Sequence, residues 1–445
     1  FLRLRTDTGR AGMIVPTGIA TDEKKSPFFR FVVENKLLAL LADFTNAEGI
    51  FRNHRQNRFS LVILGDSLVT RMFFYLTNVG QLYAKTPLSL STKELLLVNP
   101  NTGTAPVFSS QRDMDLVLKI YRNGKILLRK YEDGTKDNPY GIEVSTQFNM
   151  TSDSDKFVRE QELIDRGYKK NWIYYEKDDE RYIPLCEGKT FYILDSRYNH
   201  ITGNGNMTVC SPEEKSDSRF FPKIQFYVSK RSMERESPSD NKKRSGWEVV
   251  YRAVSNPANQ RTFISSISGN VAWGNSAPLV TGTCKHLFLF ATLNHTLDYV
   301  LRRKIQGKNV NKFIVEQLPV PDPSKFKQLP GLDTGDTCLE DSVIRRLVKC
   351  VNYSYDMEPF VKDMGYEIEP RPWNEKERLD YMAQLDAIAA HLYGIDYEDL
   401  KYIFTTFPIE KREQEKEYGT YLSRDLALKY FEEYKPRLFP GGTNR

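Results

Sequence analysis

The spacing of apolar residues changes twice along this chain of 445 residues, and each change marks a different kind of structure. Residues 12–19 (GMIVPTGI) form a short strand-like run halted by Pro and Gly. Residues 27–41 carry apolar side chains on a 3.6-residue period and predict a helix, and residues 59–64 (FSLVIL) are a second continuous apolar run. Strand, helix and strand in that order, with strands apolar on both faces, predict the edge of a doubly wound α/β sheet. Two strands cannot stand alone in water, so the sheet must draw its remaining strands from elsewhere. The chain also opens on Phe1 rather than Met, with a strand-like run already under way at residue 12, which predicts that it is the remainder of something longer.

From about residue 90 the segments become short and are separated by turn signals: NPNTG at 99–103, NGK at 123–125, EDG at 132–134 and GNGN at 203–206. Aromatic residues crowd between them, as in NWIYYE at 171–176 and KIQFYV at 223–228. This predicts a β-rich domain ending at the proline linker PVPDP, 319–323. Beyond it, residues 339–351, 375–393, 397–404 and 424–434 return to helical spacing. The expected architecture is α/β followed by α+β: the end of a doubly wound sheet over 1–90, a β-rich domain over 91–323 and a helical region over 324–445. No internal repeat is visible.

Composition narrows the class. A hydrophobic content of 40% supports real cores and excludes disorder as the overall state. Five cysteines, at 186, 210, 284, 338 and 350, form no CxxC pair and are too sparse for a disulfide framework, which predicts a reducing, cytoplasmic setting. The longest apolar stretches, such as 287–293, fall short of the ~20 residues a membrane helix needs, and no signal-peptide layout is present. A soluble protein is expected.

Conventional catalytic motifs are missing from these residues. The histidines at 54, 200, 286, 295 and 391 include no HExxH and no pair four apart, so no metal site is expected. No GxSxG, P-loop or dinucleotide fingerprint occurs, and GNGN reads as a hairpin turn. Asn138-Pro139-Tyr140 is close to the Asn-Pro-Pro-Tyr tetrapeptide with which amino-methyltransferases hold a target adenine, but the second proline is missing and Gly141 follows. Without consecutive prolines to direct the Asn amide, the segment reads as a turn.

Charge is unevenly placed. Overall, 64 Lys+Arg against 58 Asp+Glu leave only +6. Residues 223–261 hold nine Lys/Arg (223, 230, 231, 235, 242, 243, 244, 252, 261) against four acids (234, 236, 240, 248), a net of +5. Residues 285–316 hold six against two and include the helix-like LDYVLRRKIQG. Lys242, Lys243, Arg244, Arg252, Arg302, Arg303 and Lys304 are therefore candidates for phosphate contact, and the interleaved Trp247, Tyr251, Asn256, Asn259 and Gln260 include side chains able to read base edges. A solvated basic face fits the same charges equally well.

Several segments together resemble the C-terminal half of an adenine-N6 DNA methyltransferase of the gamma, TaqI-like class. The likeness is to the large Eco57I-type enzymes of type IIG and type ISP restriction and of DISARM-like phage defence. Residues 10–22 (RAGMIVPTGIATD) and 49–66 (GIFRNHRQNRFSLVILGD) resemble the family's sixth and eighth motifs. Residues 95–121 (LLLVNPNTGTAPVFSSQRDMDLVLKIY) resemble the segment joining catalytic fold to target-recognition domain. Further matches are NPYG (138–141), PLCEGK (184–189), NPANQRTFISSI (256–267), the stretch 293–323 and LDAIAAHLYGIDYEDLKYIFTTFPI (385–409). The resemblance covers almost the whole chain.

It implies that residues 1–90 end a Rossmann-like methyltransferase domain, that 91–323 read the target sequence in double-stranded DNA, and that the enzyme flips an adenine and methylates its N6 from S-adenosylmethionine. A base inside the stack cannot present its amino group to a sulfonium methyl, so extrusion and an aromatic platform are needed. Phe51 stands where the eighth motif places that aromatic, the other readings being a core Phe51 with Phe59 exposed. His54, Arg55 and Arg58 follow on the same loop as candidate phosphate contacts, a solvated loop being the other reading, and Asn259, Arg261, Lys308, Asn309 and Asn311 are candidates for DNA contact or for stabilising a loop. The cofactor motif and the Asn-Pro-Pro-Tyr tetrapeptide would precede residue 1. No catalytic residue is therefore assigned within the chain, and the cofactor-binding half is expected in the same or another polypeptide, with a nuclease or helicase as a further partner. The alternative is a non-catalytic DNA-binding specificity module working with a separate methyltransferase or nuclease.

Overall fold

A computed structural model describes residues 2, 5–6, 8–52, 55, 57–202, 204–236, 246–305 and 307–440. They form two compact units, Phe1–Asn138 with Phe313–Pro319 and Pro139–Lys312 with Val320–Arg445. The segment 91–138 thus packs in the first unit, and the C-terminal helices pack in the same unit as most of the β-rich region.

The first unit is built on a five-stranded mixed sheet, with β1 (Ala11–Pro16), β2 (Leu38–Thr45), β3 (Arg58–Leu64), β4 (Val69–Leu76) and β5 (Leu88–Ser91) in the order β1-β3-β2-β4-β5. Strand β3 runs antiparallel to both β1 and β2, β2 is parallel to β4, and β5 is antiparallel to β4. The two expected strands are β1 and β3, but the expectation that the other strands lie elsewhere is corrected: β2, β4 and β5 supply them. The helix expected over 27–41 ends early, as α1 (Ser26–Glu34). Lys36 then adopts φ +56, a left-handed turn that breaks the helix, and the apolar LALLADF continues as β2 with all seven residues buried. A continuous apolar run suits a covered strand as well as a helix, and here the turn decides. Strand β1 alternates instead of being buried on both faces, and Ile14 on its open face is 60% exposed.

After β5, helix α2 (Thr92–Val98) begins with a reciprocal capping box between Ser91 and Glu94. The turn predicted at 99–103 follows. Gly103 takes φ +65 and donates its N–H to the Asn99 carbonyl at 2.7 Å, leading on to α3 (Gln111–Asn123).

The second unit holds a four-stranded sheet and a five-stranded one, the latter formed by four strands in order with Ala272–Trp273 added parallel to the third. One is β6 (Ile142–Ser145), β11 (Glu248–Tyr251), β12 (Ser265–Ser268) and β13 (Leu279–Gly282), ordered β12-β11-β13-β6. The other is β7 (Lys169–Asn171), β8 (Tyr174–Lys177), β9 (Glu180–Cys186) and β10 (Phe226–Ser229), ordered in sequence. Helix α4 (Lys285–Leu293) is apolar nearly all round because it is buried from Leu287 to Leu293. Helix α5 (His295–Lys304) follows, started by the Asn294 side chain accepting from Leu297 N–H. The C-terminal helices are α6 (Leu339–Val351), α7 (Glu375–Leu392), α8 (Tyr397–Thr405), α9 (Pro408–Tyr418) and α10 (Leu422–Leu438). Four of these lie where the sequence places them. Helix α9, with the charged sequence PIEKREQEKEY, has no continuous apolar stripe to reveal it. All five cysteines are free thiols, and no helix among the described residues is long and apolar enough to cross a membrane.

Candidate nucleic-acid interface

Three aromatic rings step outward at the carboxyl end of β2. Phe44 stacks on Phe59 at 5.1 Å, and Phe51 meets Phe59 edge-on at 4.9 Å. Phe59 is half-buried, whereas Phe51 is 39% exposed, so the outermost ring is open to a ligand on one side. Asn46 fixes it there. This fully buried side chain donates from Nδ2 to the Phe51 carbonyl at 2.9 Å and accepts the Phe51 N–H on Oδ1 at 2.8 Å, while its own N–H reaches the Asn57 carbonyl. Glu48 ties the same loop to the end of β4 by accepting from Thr77 and Asn78. Sequence reasoning missed Asn46; its place at the strand end, five residues before Phe51, was the available signal.

Beside the rings, Thr17 at the end of β1 donates to Asp43 at 2.7 Å, Ser60 donates to Thr17 at 3.1 Å, and Arg58 pairs with Asp43. The Arg58 guanidinium, which also lies 5.9 Å from the Tyr75 ring centre, is thus committed to the protein, while Arg55 is exposed on the loop. His54 lies outside the described residues, as do Lys242, Lys243 and Arg244.

In the second unit, two of the candidate segments meet. Ser255 N–H donates to the Lys308 carbonyl at 2.9 Å, Val310 N–H to the Ala253 carbonyl at 2.8 Å, and Val254 bridges Asn309. This pins the loop after α5 against residues 253–259 and leaves Val254, Asn259, Lys308, Asn309 and Asn311 exposed. Arg302 braces the same place from below, donating to the carbonyls of Asn259 (2.9 Å), Gln260 (2.8 Å) and Thr406 (3.0 Å), with its guanidinium 4.0 Å from the Phe407 ring centre.

The remaining arginines are structural. Arg252 donates to the Phe191 carbonyl, and Arg303 lies 3.4 Å from the centre of the Tyr299 ring while donating to the Tyr299 carbonyl. Lys304 is half-buried. Arg261 is the clear correction. It is 2% exposed, pairs with Asp298 at 2.8 Å and donates to the Leu293 carbonyl at 2.7 Å, so its guanidinium cannot reach a groove without unfolding its surroundings.

The expected turn at Asn138-Pro139-Tyr140 is present, and Tyr140 is fully buried with its hydroxyl on the Pro321 carbonyl at 2.9 Å, away from any base. His200, Cys210 and Glu214 come within metal-binding reach of one another. The His200 Nδ1, however, accepts Lys223 N–H at 3.0 Å, which puts the ring proton on Nε2 and directs it to Glu214 at 3.1 Å. Metal-bound histidines instead donate from the second nitrogen. Burial also pushes the Cys210 thiol up to about 12.

No family model and no curated protein matches the chain. Among solved structures it is similar to the type IIL restriction-modification enzyme MmeI in complex with DNA, at 12% identity and a TM-score of 0.37, over 91% of this chain and 50% of that one. It is also similar to the type IIG restriction endonuclease BpuSI (11%, 0.31, 97% and 48%) and to DrdV in its DNA complex (9%, 0.28, 88% and 38%). The chain spans about half the length of MmeI and BpuSI.

Arg261 and Arg302 belong to a buried network that sequence reasoning did not find. His295 places Nδ1 2.8 Å from Asp386 on α7 and Nε2 2.8 Å from Glu410 on α9, a geometry that lets both ring nitrogens donate and favours the imidazolium. Three cations (Arg261, His295, Arg302) face three carboxylates (Asp298, Asp386, Glu410). Burial and Arg261 work against the charge on His295, but Asp386 and Glu410 outweigh them and raise its pKa. A raised histidine pKa stabilises the fold fully below the unfolded value near ~6.5, and the contribution is lost as pH rises through the folded pKa. Urea unfolding should therefore show the second unit losing stability as pH rises above the unfolded value near ~6.5, at about 1.4 kcal/mol per unit by which the folded pKa exceeds the unfolded one. His295→Gln should lower stability at pH 6 and flatten this dependence; equal slopes in both proteins would show that His295 does not titrate in that window.

Proposed function

We propose that the chain is the base-presenting edge and target-recognition part of a site-specific DNA adenine-N6 methyltransferase, serving restriction or phage defence in the cytoplasm. The observation that carries this reading is Phe51, an exposed ring locked by Asn46 at the carboxyl end of a strand, where open α/β sheets place their ligands. Strand β1 is the edge of the sheet, so its free backbone edge suits pairing with a further strand, and Ile14, exposed on its face, suits a covering element.

The described residues do not themselves fit S-adenosylmethionine. The carboxylate at the strand ends, Asp43, is buried and taken by Thr17 and Arg58, leaving nothing there for ribose hydroxyls or an ammonium. The reading therefore assigns the cofactor to the half carrying the missing motifs. Methylome sequencing of cells with and without the gene tests it: N6-methyladenine in one sequence context should disappear with the gene. A chain that, with its natural partners, neither binds the cofactor nor methylates DNA would instead be the non-catalytic specificity module.

On either reading the surface at 254–259 and 308–311 meets DNA. Lys308→Ala should weaken binding uniformly across sequences and lower the salt slope by about 1. Asn309→Ala should relax choice at one base pair by ~1 to 3 kcal/mol. Anisotropy titrations over a range of KCl concentrations measure both, and unchanged slope and selectivity would remove this surface from the interface.

A further inference from the structure

A cleft of about 1220 Å³ opens in the first unit at the amino ends of β2 and β4, the opposite end of β2 from Phe51. Lys36, just before β2, accepts Ser67 N–H on its carbonyl at 2.8 Å, which brings Lys36 and Leu68 side by side. Its floor is apolar, formed by Leu68, Leu96, Leu97 and Ile126, and Leu68 is 76% exposed. Its rim is cationic: Lys36, Lys93, Lys125 and Arg129 outnumber the acids Asp137 and Glu94, the latter paired with Arg122 at 3.1 Å. Lys36 and Lys93 are exposed and have no ion-pair partner among the described residues.

We propose that this cleft docks an acidic amphipathic helix of a partner protein. Exposed Leu68 beside half-buried Leu96 and Leu97, with Lys36 and Lys93 around them, calls for one ligand that is apolar on one face and anionic along its edges. Duplex DNA answers the lysines but leaves the leucines wet. A single nucleic-acid strand needs an exposed aromatic platform, and the ring in the lining, Tyr121, is buried with its hydroxyl on the Gln317 carbonyl at 2.9 Å. A small anion would not fill a volume above the ~300 to 1,000 Å³ usual for small-molecule pockets. A helix some 10 to 12 Å across suits the volume and both chemistries. Because the cleft and Phe51 lie at opposite ends of β2, such a partner binds without covering the proposed base platform.

The test is fluorescence anisotropy of the full chain with a labelled 16-residue synthetic helix bearing leucines at i, i+3, i+7 and i+10 and glutamates beside them. Controls are a lysine-flanked version, a scramble of equal composition and a 20-base-pair duplex. The acidic helix should bind, weaken with salt and lose at least tenfold in affinity in the Lys36→Glu, Lys93→Glu double variant. Leu68→Ser, at an exposed position, should weaken it several-fold with an unchanged melting temperature. The proposal is overturned if the acidic helix does not bind, if the scramble binds equally, if the variants bind like wild type, or if the duplex competes for the same residues.

Discussion

Replacing Arg261 with alanine is expected to destabilise the second unit by about 3 to 5 kcal/mol, the usual cost of removing one partner from a buried ion pair. The residue stood among the expected DNA contacts, and its environment reverses that expectation. Its removal leaves Asp298 buried, with Thr262 N–H at 2.9 Å as its remaining donor and Arg302 as an ion-pair partner at 3.4 Å, and leaves the Leu293 carbonyl without its guanidinium partner. Chemical denaturation checks the size of the loss. DNA binding by whatever fraction remains folded should keep its sequence preference, because the guanidinium never reaches the surface. Pairing Arg261→Met with Asp298→Asn should recover part of the loss, since it removes the uncompensated carboxylate rather than stranding it. A stable Arg261→Ala protein with altered sequence choice would restore the groove contact and remove the structural role.

The contrast between Arg261 and Lys308 shows where sequence reading stops. Both lie in basic stretches among amide residues, and local charge cannot tell them apart. What separates them is Asp298, 37 residues from Arg261 in sequence, with His295 joined to Glu410 across 115 residues. Burial of a charge is a property of partners that only the fold assembles. By contrast, β1, β3 and α6 were legible because each carries its own signal: an uninterrupted apolar run, or amphipathic spacing with acids in the first turn. Strand β2 was misread because LALLADF satisfies a helical period as readily as a buried strand, and the break that settles the matter is a lysine, not a glycine, in a left-handed conformation. The base platform was half legible. Phe51 could be picked out, but the Asn46 clamp that makes its position definite is a side-chain-to-backbone contact whose one local signal is an asparagine at the strand end five residues earlier.

That clamp leads to the second large expectation. In the enzyme complete with its cofactor-binding half, Phe51→Ala should lower methylation about five- to 150-fold, the equivalent of the ~1 to 3 kcal/mol lost when a base loses its aromatic platform. DNA affinity and melting temperature should stay near wild type, because the ring is partly exposed and meets Phe59 edge-on. Phe51→Trp, which keeps a stacking face, should retain most activity. Asn46→Ala should act in the same direction through position alone. It leaves the ring in place chemically but frees the backbone at both of its hydrogen bonds, so the ring wanders from the site where an extruded adenine must stack. A duplex carrying 2-aminopurine at the target base gives an independent readout, with fluorescence changing on binding by the wild type and much less with either alanine variant. If Phe51→Ala destabilises the unit and weakens DNA binding to the same extent, the ring belongs to the core formed with Phe44 and Phe59. If Phe51→Ala impairs methylation while Asn46→Ala does not, the platform role stands and the clamp is dispensable.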